Sequence, residues 1–206
     1  MPYFHYSYNP RLDFDRRHHF GIVIFSKYPL SRKKTINEPP HNYNSIFQYA
    51  DLVKGRDTFR IFNCHLQTLR FTKSHKAYLE NPSLDDRSDL QNSKTVLSKL
   101  RYSISLHHRQ SDRIRREMDK SPHPVILCGD LNDVPNSYAY YRLGKDMKDV
   151  FREKGAGMGR TYTGISPTLR IDHIFCDERF SVSQYTSPRK KMSDHFPVIA
   201  DMVWQR

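Results

Sequence analysis

The chain has 206 residues, of which 37% are hydrophobic and 13% aromatic, and this composition excludes a disordered protein. Its 34 Lys and Arg residues outnumber its 22 Asp and Glu residues, and the net charge of +12 favours an anionic partner such as nucleic acid, a phosphorylated small molecule or an anionic lipid surface. A basic surface that only keeps the protein in solution would explain the same charge.

The first half of the chain reads as strands followed by a long helix. Residues 21–28 predict a strand that ends at Pro29, and SIFQYADLV is expected to pair with residues 58–66 across the turn KGRD. Apolar residues then recur at helical spacing and predict a long amphipathic helix, with Val96, Leu97, Leu100, Ile104, Ile114 and Met118 on its apolar face.

The second half begins with a buried strand at residues 124–128. Residues 137–151 predict one helix that the glycines of GAGMG end, and RIDHIFCD and PVIADMVW predict two last strands. Strands with interspersed helices predict a layered α/β fold, and the length predicts that residues 1–206 form a single domain.

The cysteines and the apolar runs bear on the compartment. Cys64, Cys128 and Cys176 each lie in an apolar run without a C-x-x-C pair, which argues against a disulfide framework and a structural zinc site. FGIVIF is the longest apolar run near the start and is far too short to span a membrane. Met1 is followed by no signal peptide, so the cytoplasm is the default expectation.

The strand at residues 124–128 runs directly into Gly-Asp-Leu-Asn-Asp. Asp130 and Asn132 are two residues apart and would point to the same side of an extended chain. A carboxylate and an amide on one face can hold a metal ion, a water molecule or a phosphate group. Gly, Asp and Asn also end strands as turn residues, and for this segment alone the turn interpretation is favoured.

Polar residues recur near the ends of three other predicted strands: Asn63 and His65, Arg170 and Asp172, and Asp194 and His195. Each has an ordinary structural explanation, such as an edge histidine for His65 or an arginine-paired carboxylate for Asp172. Their recurrence at strand ends favours a site, because layered α/β folds assemble sites along one rim of the sheet.

The motifs NCHL, GDLND, RIDHIF and SDHFPV, in this order and at these separations, resemble those of the endonuclease/exonuclease/phosphatase superfamily, which includes deoxyribonuclease I. GIVIFSKYPL and DRIRREM resemble a further strand and helix of the same family. The resemblance implies a four-layer sandwich of two packed mixed β-sheets flanked by helices, with the site at one end of the sheets.

The resemblance also implies roles for the residues that match its motifs. Asp130 and Asn132 would position and activate the attacking water, with Asn132 holding a phosphate oxygen. His195 would be the catalytic histidine beside the scissile phosphate, and Asp172 would orient and charge it. His65 would be a second catalytic histidine that faces the phosphate.

The implied metal is Mg²⁺ or Mn²⁺, because both prefer oxygen ligands and a zinc-type cage of His and Cys is absent from the sequence. Asp194 and Asp130 would be its ligands, and Arg170 would join His65 and Asn132 in binding the substrate phosphate. The implied activity is metal-dependent hydrolysis of a phosphate ester, as a phosphodiesterase or nuclease. Phosphomonoesters and phospholipids are alternative substrates, and nucleic acid is one candidate partner.

Two departures from the family pattern accompany the resemblance. Members carry an Asn and a metal-binding Glu, in a Gln-Glu pair, upstream of the strand that matches GIVIFSKYPL, whereas only twenty residues precede it here and no Gln-Glu pair occurs. We therefore expect the first strands of the family fold to be missing and the chain to be a fragment of a larger protein. Residues 71–106 are interpreted as an insertion that shapes the substrate groove.

For this chain as written, the missing Glu favours a second class of function, a non-catalytic module that binds phosphate or nucleic acid. The presence of Asp130, Asn132, Asp172, Asp194 and His195 favours an enzyme for the full-length protein, in which case this chain alone is expected to be inactive.

Overall fold

A six-stranded mixed sheet lies at the centre of the protein in the computed structural model, which describes residues 1–8, 21–37, 46–68, 87–164, 169–190 and 192–205, with the backbone alone for residues 87–92. The strands are β1 (Tyr3–Tyr8), β2 (Gly21–Ser26), β3 (Leu30–Asn37), β4 (Ile46–Lys54), β5 (Asp57–His65), β6 (Val125–Asp130), β7 (Lys148–Asp149), β8 (Asp172–Cys176), β9 (Phe180–Thr186) and β10 (Ile199–Trp204). The helices are α1 (Arg87–Asp119), α2 (Tyr138–Leu143) and α3 (Val150–Lys154).

The central sheet has the strand order β3-β4-β5-β6-β8-β7. Only the neighbours β5 and β6 are parallel, and the long helix α1 lies between them in the chain, as a parallel connection requires. The hairpin of β4 and β5 confirms the predicted strand pair, and Gly55 supplies the positive φ of +64° that its tight turn needs.

One face of this sheet packs against the helices. Phe62 of β5 and Leu127 of β6 are fully buried there against Ile114 and Met118 of α1. The amphipathic helix predicted from the sequence is thus confirmed, although Leu97 and Ile104, two of its six predicted apolar positions, are exposed.

The opposite face of the sheet carries two separate two-stranded antiparallel sheets, β1-β2 and β9-β10. Asn63 of β5 donates its side-chain amide to the carbonyl oxygen of Val23 in β2, over 3.1 Å. Phe59, on the same face of β5, packs against Phe180 of β9 and Trp204 of β10. The layered α/β fold is confirmed, and in the described residues the second layer consists of these two hairpin-like units.

The single helix expected at residues 137–151 is wrong. Ser137 caps α2, whose last turn ends where the amide of Gly144 donates to the carbonyl oxygen of Tyr140. The chain then joins the sheet as β7, and Asp149 caps α3 by accepting from the amide of Phe151. Two side-chain caps within twelve residues give this segment two helix starts where the periodicity alone suggested one.

The expected insertion at residues 71–106 falls partly outside the described residues. Residues 71–86 are not described, and residues 87–106 form the first part of α1. None of the helices in the described part of the chain is long and apolar enough to cross a membrane.

Candidate active site

Three polar residues lie side by side where neighbouring strands end, along one rim of the central sheet. His65 ends β5, Asp130 ends β6 and Asp172 begins β8, and the strand register pairs His65 with Asp130 and Asp130 with Asp172. Paired residues on neighbouring strands point to the same face, which here is the face that carries the two smaller sheets. The sequence prediction that these strand ends meet at one rim is therefore matched by the geometry.

His195 joins this row from the segment just before β10. Its Nδ1 lies 2.8 Å from Oδ2 of Asp172, and its Nε2 lies 4.0 Å from Oδ2 of Asp130. Because a carboxylate only accepts hydrogen bonds, Nδ1 is the donor to Asp172. This hydrogen bond, helped by the nearby negative charges, raises the pKa of His195 above its ordinary value and favours the imidazolium.

Asp130 occupies the centre of the cluster and is largely buried. Its Oδ1 accepts from the backbone amide of Asn132 over 2.8 Å, and its Oδ2 lies 3.5 Å from Nε2 of His65. Burial, together with the neighbouring charge of Asp172, raises the pKa of Asp130 to about 7. Burial and the proximity of His195 lower the pKa of His65, which favours its neutral form. The cluster therefore contains a carboxyl group that titrates near neutral pH.

Asn132 follows Asp130 in a left-handed backbone conformation, with φ of +47°. Its side-chain nitrogen donates over 3.0 Å to the carbonyl oxygen of Leu66, just beyond β5. This bond ties the loop after β6 to the end of β5. One of the two hydrogens of this nitrogen is used in the contact, and the second is left for the phosphate oxygen expected from the sequence.

The structure does not bring Arg170 or Asp194 into the cluster. Arg170 is only 4% exposed, donates from Nη1 to Oδ2 of Asp149 over 2.8 Å, and stacks on the ring of Phe151. Its guanidinium is thus held in the interior, and the expected phosphate contact is corrected to a buried ion pair. The carboxylate of Asp194 is exposed and accepts from the hydroxyl of Ser193.

Among the described residues, the ligand atoms of Asp130, Asp172 and His195 lie within 4.8 Å of one another and could hold a metal ion. Two carboxylate oxygens fit Mg²⁺ or Mn²⁺, and His195 could contribute a nitrogen only in its neutral form. Asp130 is common to this group and to the ligand set predicted from the sequence. The group contains Asp172 and does not contain Asp194.

A cavity of about 480 Å³ opens beside the row of polar side chains. Its floor continues along the same sheet face to Asn63, Cys128 and Ile174, and Phe196 and Val198 form part of its wall. The cluster is therefore reachable by a ligand from one side and is backed by the sheet on the other.

The segment from Thr161 to Thr163 belongs to the site, and the sequence analysis missed it. The buried hydroxyl of Thr161 accepts from the backbone amides of Ile171 and Asp172, which fixes the start of β8. The ring of Tyr162 lies 4.9 Å from the ring of His195, measured between centroids. The sequence TYT follows a run of glycines without any periodic pattern, so it gave no signal of this role.

Comparison with known proteins agrees with the geometry. The sequence model of the family described as "Endonuclease/Exonuclease/phosphatase family" matches residues 1–195. No curated protein matches the sequence.

Solved structures resemble the fold at low sequence identity. A mannosyl-6-phosphatase from Bacteroides thetaiotaomicron has a TM-score of 0.64 at 17% identity, over 99% of this chain and 78% of that one. A family protein from the same organism has a TM-score of 0.65 at 17% identity, over 98% and 76% of the two chains. The human Nocturnin catalytic domain, solved with a bound sulfate anion, has a TM-score of 0.59 at 11% identity, over 98% and 72%.

Proposed function

Because the chain belongs to the endonuclease/exonuclease/phosphatase family, whose members are phosphoester hydrolases, we propose that it hydrolyses a phosphate ester at the cluster of Asp130, Asp172 and His195. The observation that carries the proposal is the orientation of His195. Its Nδ1 is bound to Asp172 over 2.8 Å, which leaves Nε2 facing Asp130 at the mouth of the cavity.

The side chains of the cluster have the properties that hydrolysis of a phosphate ester requires. The imidazolium of His195 supplies positive charge and a proton next to the position where negative charge gathers on the phosphoryl oxygens. The carboxylate of Asp130, with a pKa of about 7 in the absence of an ion, is the group of the cluster that would accept a proton from the attacking water. The backbone amide of Asn132 donates to Oδ1 of Asp130 and so orients this carboxylate.

A divalent metal ion, held by Asp130 and Asp172, would stabilise charge on the phosphate oxygens. The carboxylate oxygens fit such an ion, because they converge from two neighbouring strands, while His195 as an imidazolium stays outside the ligand set. We propose Mn²⁺ or Mg²⁺ as the cofactor on this basis.

Within this reaction class we propose a phosphodiester substrate, with nucleic acid as the first candidate. The net charge of +12 supports this choice, since phosphate contacts of Lys and Arg bind nucleic acid without regard to its sequence. Phosphomonoesters and phospholipids are the alternatives within the same family.

The test is an assay of the purified chain with plasmid DNA, bis(p-nitrophenyl) phosphate and p-nitrophenyl phosphate, each with Mn²⁺, with Mg²⁺ and with EDTA. We expect metal-dependent hydrolysis, a preference for the diesters, and loss of turnover by a factor of about 10² to 10⁴ in His195→Ala. The matched control is His108→Ala, because His108 is exposed on α1 and lies outside the cluster. Turnover that survives chelation, or that is equal in the two variants, would contradict the proposed mechanism.

A further inference from the structure

A second histidine, His107 on α1, is buried behind the loop that follows β6. Only 2% of its surface is exposed. Its Nδ1 lies 3.0 Å from Oδ2 of Asp133, and its Nε2 lies 2.7 Å from the carbonyl oxygen of Gln67. His107 therefore touches both the loop after β6 and the chain just beyond β5, the two segments that carry Asp130 and His65.

Three contacts hold the imidazole ring in place. Its Nε2 donates to the carbonyl oxygen of Gln67, because a carbonyl oxygen only accepts hydrogen bonds, and it also lies 3.2 Å from the hydroxyl of Ser103 on α1. Its Nδ1 faces Oδ2 of Asp133, whose other carboxylate oxygen accepts from the amide of Val134.

The segments that His107 joins are also bonded directly to each other. The amide of Leu66 donates to the carbonyl oxygen of Asp130 over 2.9 Å, and the carbonyl oxygen of Leu66 accepts from the side chain of Asn132. The amide of Gln67 is fixed to α1 as well, because it donates over 3.0 Å to Oε1 of Gln110. The chain after β5 is thus clamped to α1 through both backbone groups of Gln67.

The loop after β6 needs such support, because Asn132 has a left-handed backbone that a non-glycine residue adopts at an energetic cost. The same residue presents its amide to Oδ1 of Asp130. A change in the loop conformation would therefore turn the carboxylate that lies at the centre of the cluster. Asp133 is the next residue of this loop, and its partner in the interior is His107.

We propose that His107 is a positioning residue of the active site. Through its ring contacts with Asp133 and Gln67, it holds the loop of residues 131–133 in the conformation that orients Asp130. This inference rests on the proposed function for its kinetic consequence, and on the hydrogen-bond geometry alone for its structural one. His107 touches neither the cavity nor the groups expected to react.

The first experiment tests the structural part without any assay of activity. In hydrogen exchange followed by two-dimensional ¹⁵N–¹H NMR, His107→Gln should accelerate exchange of the Asn132 amide at least tenfold relative to the wild type. An unchanged exchange rate in a folded variant would overturn the proposal.

Glu117→Gln is the matched control. Glu117 is a buried charged residue on the same helix, but its partners Lys34, Arg113 and Lys120 lie away from the loop of residues 131–133. We expect Glu117→Gln to lower the stability of the protein without changing exchange of the Asn132 amide. Equal acceleration in both variants would mean that any weakening of α1 loosens the loop, and the specific role of His107 would be lost.

The second experiment is kinetic. His107→Gln and Asp133→Asn should each lower kcat by about tenfold to 10²-fold with KM nearly unchanged, the scale of a small misplacement of a reacting group. The double variant should be no worse than the more impaired single variant, because the two residues act as one unit. Additive losses would overturn the pairing. If the wild type shows no turnover, the proposed function fails, while the exchange result still decides the role of His107.

Discussion

Asp172 and His195 are 23 positions apart in the chain, yet Oδ2 of one lies 2.8 Å from Nδ1 of the other. Asp172 is fixed at the start of β8, where its backbone amide donates to the hydroxyl of Thr161. His195 is fixed by the segment before β10, where the amide of the following residue, Phe196, donates to the carbonyl oxygen of Thr161. A single threonine therefore holds both members of the pair, and the direction of the imidazole ring follows from the backbone.

Replacing Asp172 with Asn should lower the pKa of His195, because the hydrogen bond to the Asp172 carboxylate is the largest cause of its raised value. Since the raised pKa stabilises the folded protein at low pH, that stabilisation is lost as the pH rises through the pKa of the folded state. We expect the titration midpoint of His195, followed by NMR, to fall in Asp172→Asn. An unchanged His195 midpoint would contradict the assigned hydrogen bond.

Asp130 should limit the stability of the metal-free protein above neutral pH. Its pKa of about 7, against the ordinary value of 3.8, means that between these pH values the folded state binds a proton that the unfolded state has released. Stability therefore falls as the pH rises through this window. Asp130→Asn, which keeps an acceptor for the Asn132 amide, should be more stable than the wild type at pH 8, by between about 1 and about 4 kcal/mol, and nearly equal to it at pH 4. Urea unfolding at both pH values measures this, and a less stable variant at pH 8 would refute it.

The same carboxyl group should make metal binding depend on pH. Below pH 7 a proton competes with the ion for Asp130, so the apparent Kd for Mn²⁺ should rise about tenfold for each unit that the pH falls. Electron paramagnetic resonance of free Mn²⁺ measures this between pH 5 and pH 8. Asp130→Asn should bind weakly at every pH.

The variant Asp194→Asn distinguishes the ligand set seen in the structure from the one implied by the family resemblance. The group of ligand atoms in the structure contains Asp172 and not Asp194, so this variant should bind Mn²⁺ nearly as tightly as the wild type. A loss of affinity in Asp194→Asn comparable to that in Asp130→Asn would instead support the ligand set implied by the family resemblance.

The sequence predicted the parts of the fold that local pattern determines. The hairpin of β4 and β5, the helix α1 and the placement of His65, Asp130 and Asp172 at strand ends follow from alternation, helical spacing and motif. The strand β3, with Arg32, Lys33 and Lys34 exposed on the edge of the sheet, was not predicted, because edge strands replace the apolar pattern with charge.

Other errors concern contacts between distant residues. Arg170 was expected beside Asp172 because they are two positions apart, but β8 begins only at Asp172, so strand alternation does not govern Arg170. Its partner Asp149 lies 21 positions earlier in the chain, at the end of β7. The sequence around Asp149 gives no sign that β7 and the N-terminal cap of α3 place its carboxylate next to Arg170.

Arg170 and Asp149 form a buried ion pair, and removing the arginine should destabilise the fold. Oδ2 of Asp149 accepts from Arg170 over 2.8 Å and from the hydroxyl of Tyr140 over 2.7 Å, so Arg170→Met would leave a buried carboxylate without its countercharge. We expect a loss of about 3–5 kcal/mol in urea unfolding at pH 7. The matched control is Arg179→Met. Arg179 makes two contacts with Asp177, but it is 58% exposed, so its loss should cost no more than about 1 kcal/mol.

The same variant decides between the structural role of Arg170 and the phosphate contact expected from the sequence. If Arg170 has a structural role, Arg170→Met lowers the folded fraction. The KM of the remaining folded enzyme then stays close to that of the wild type, because the guanidinium of Arg170 does not reach the cavity. If Arg170 binds the substrate phosphate, Arg170→Met raises KM and leaves the free energy of unfolding unchanged. Adding Asp149→Asn to Arg170→Met should recover part of the lost stability, since it removes the uncompensated charge. A stable Arg170→Met protein with a greatly raised KM would overturn the assignment of Arg170 to the interior.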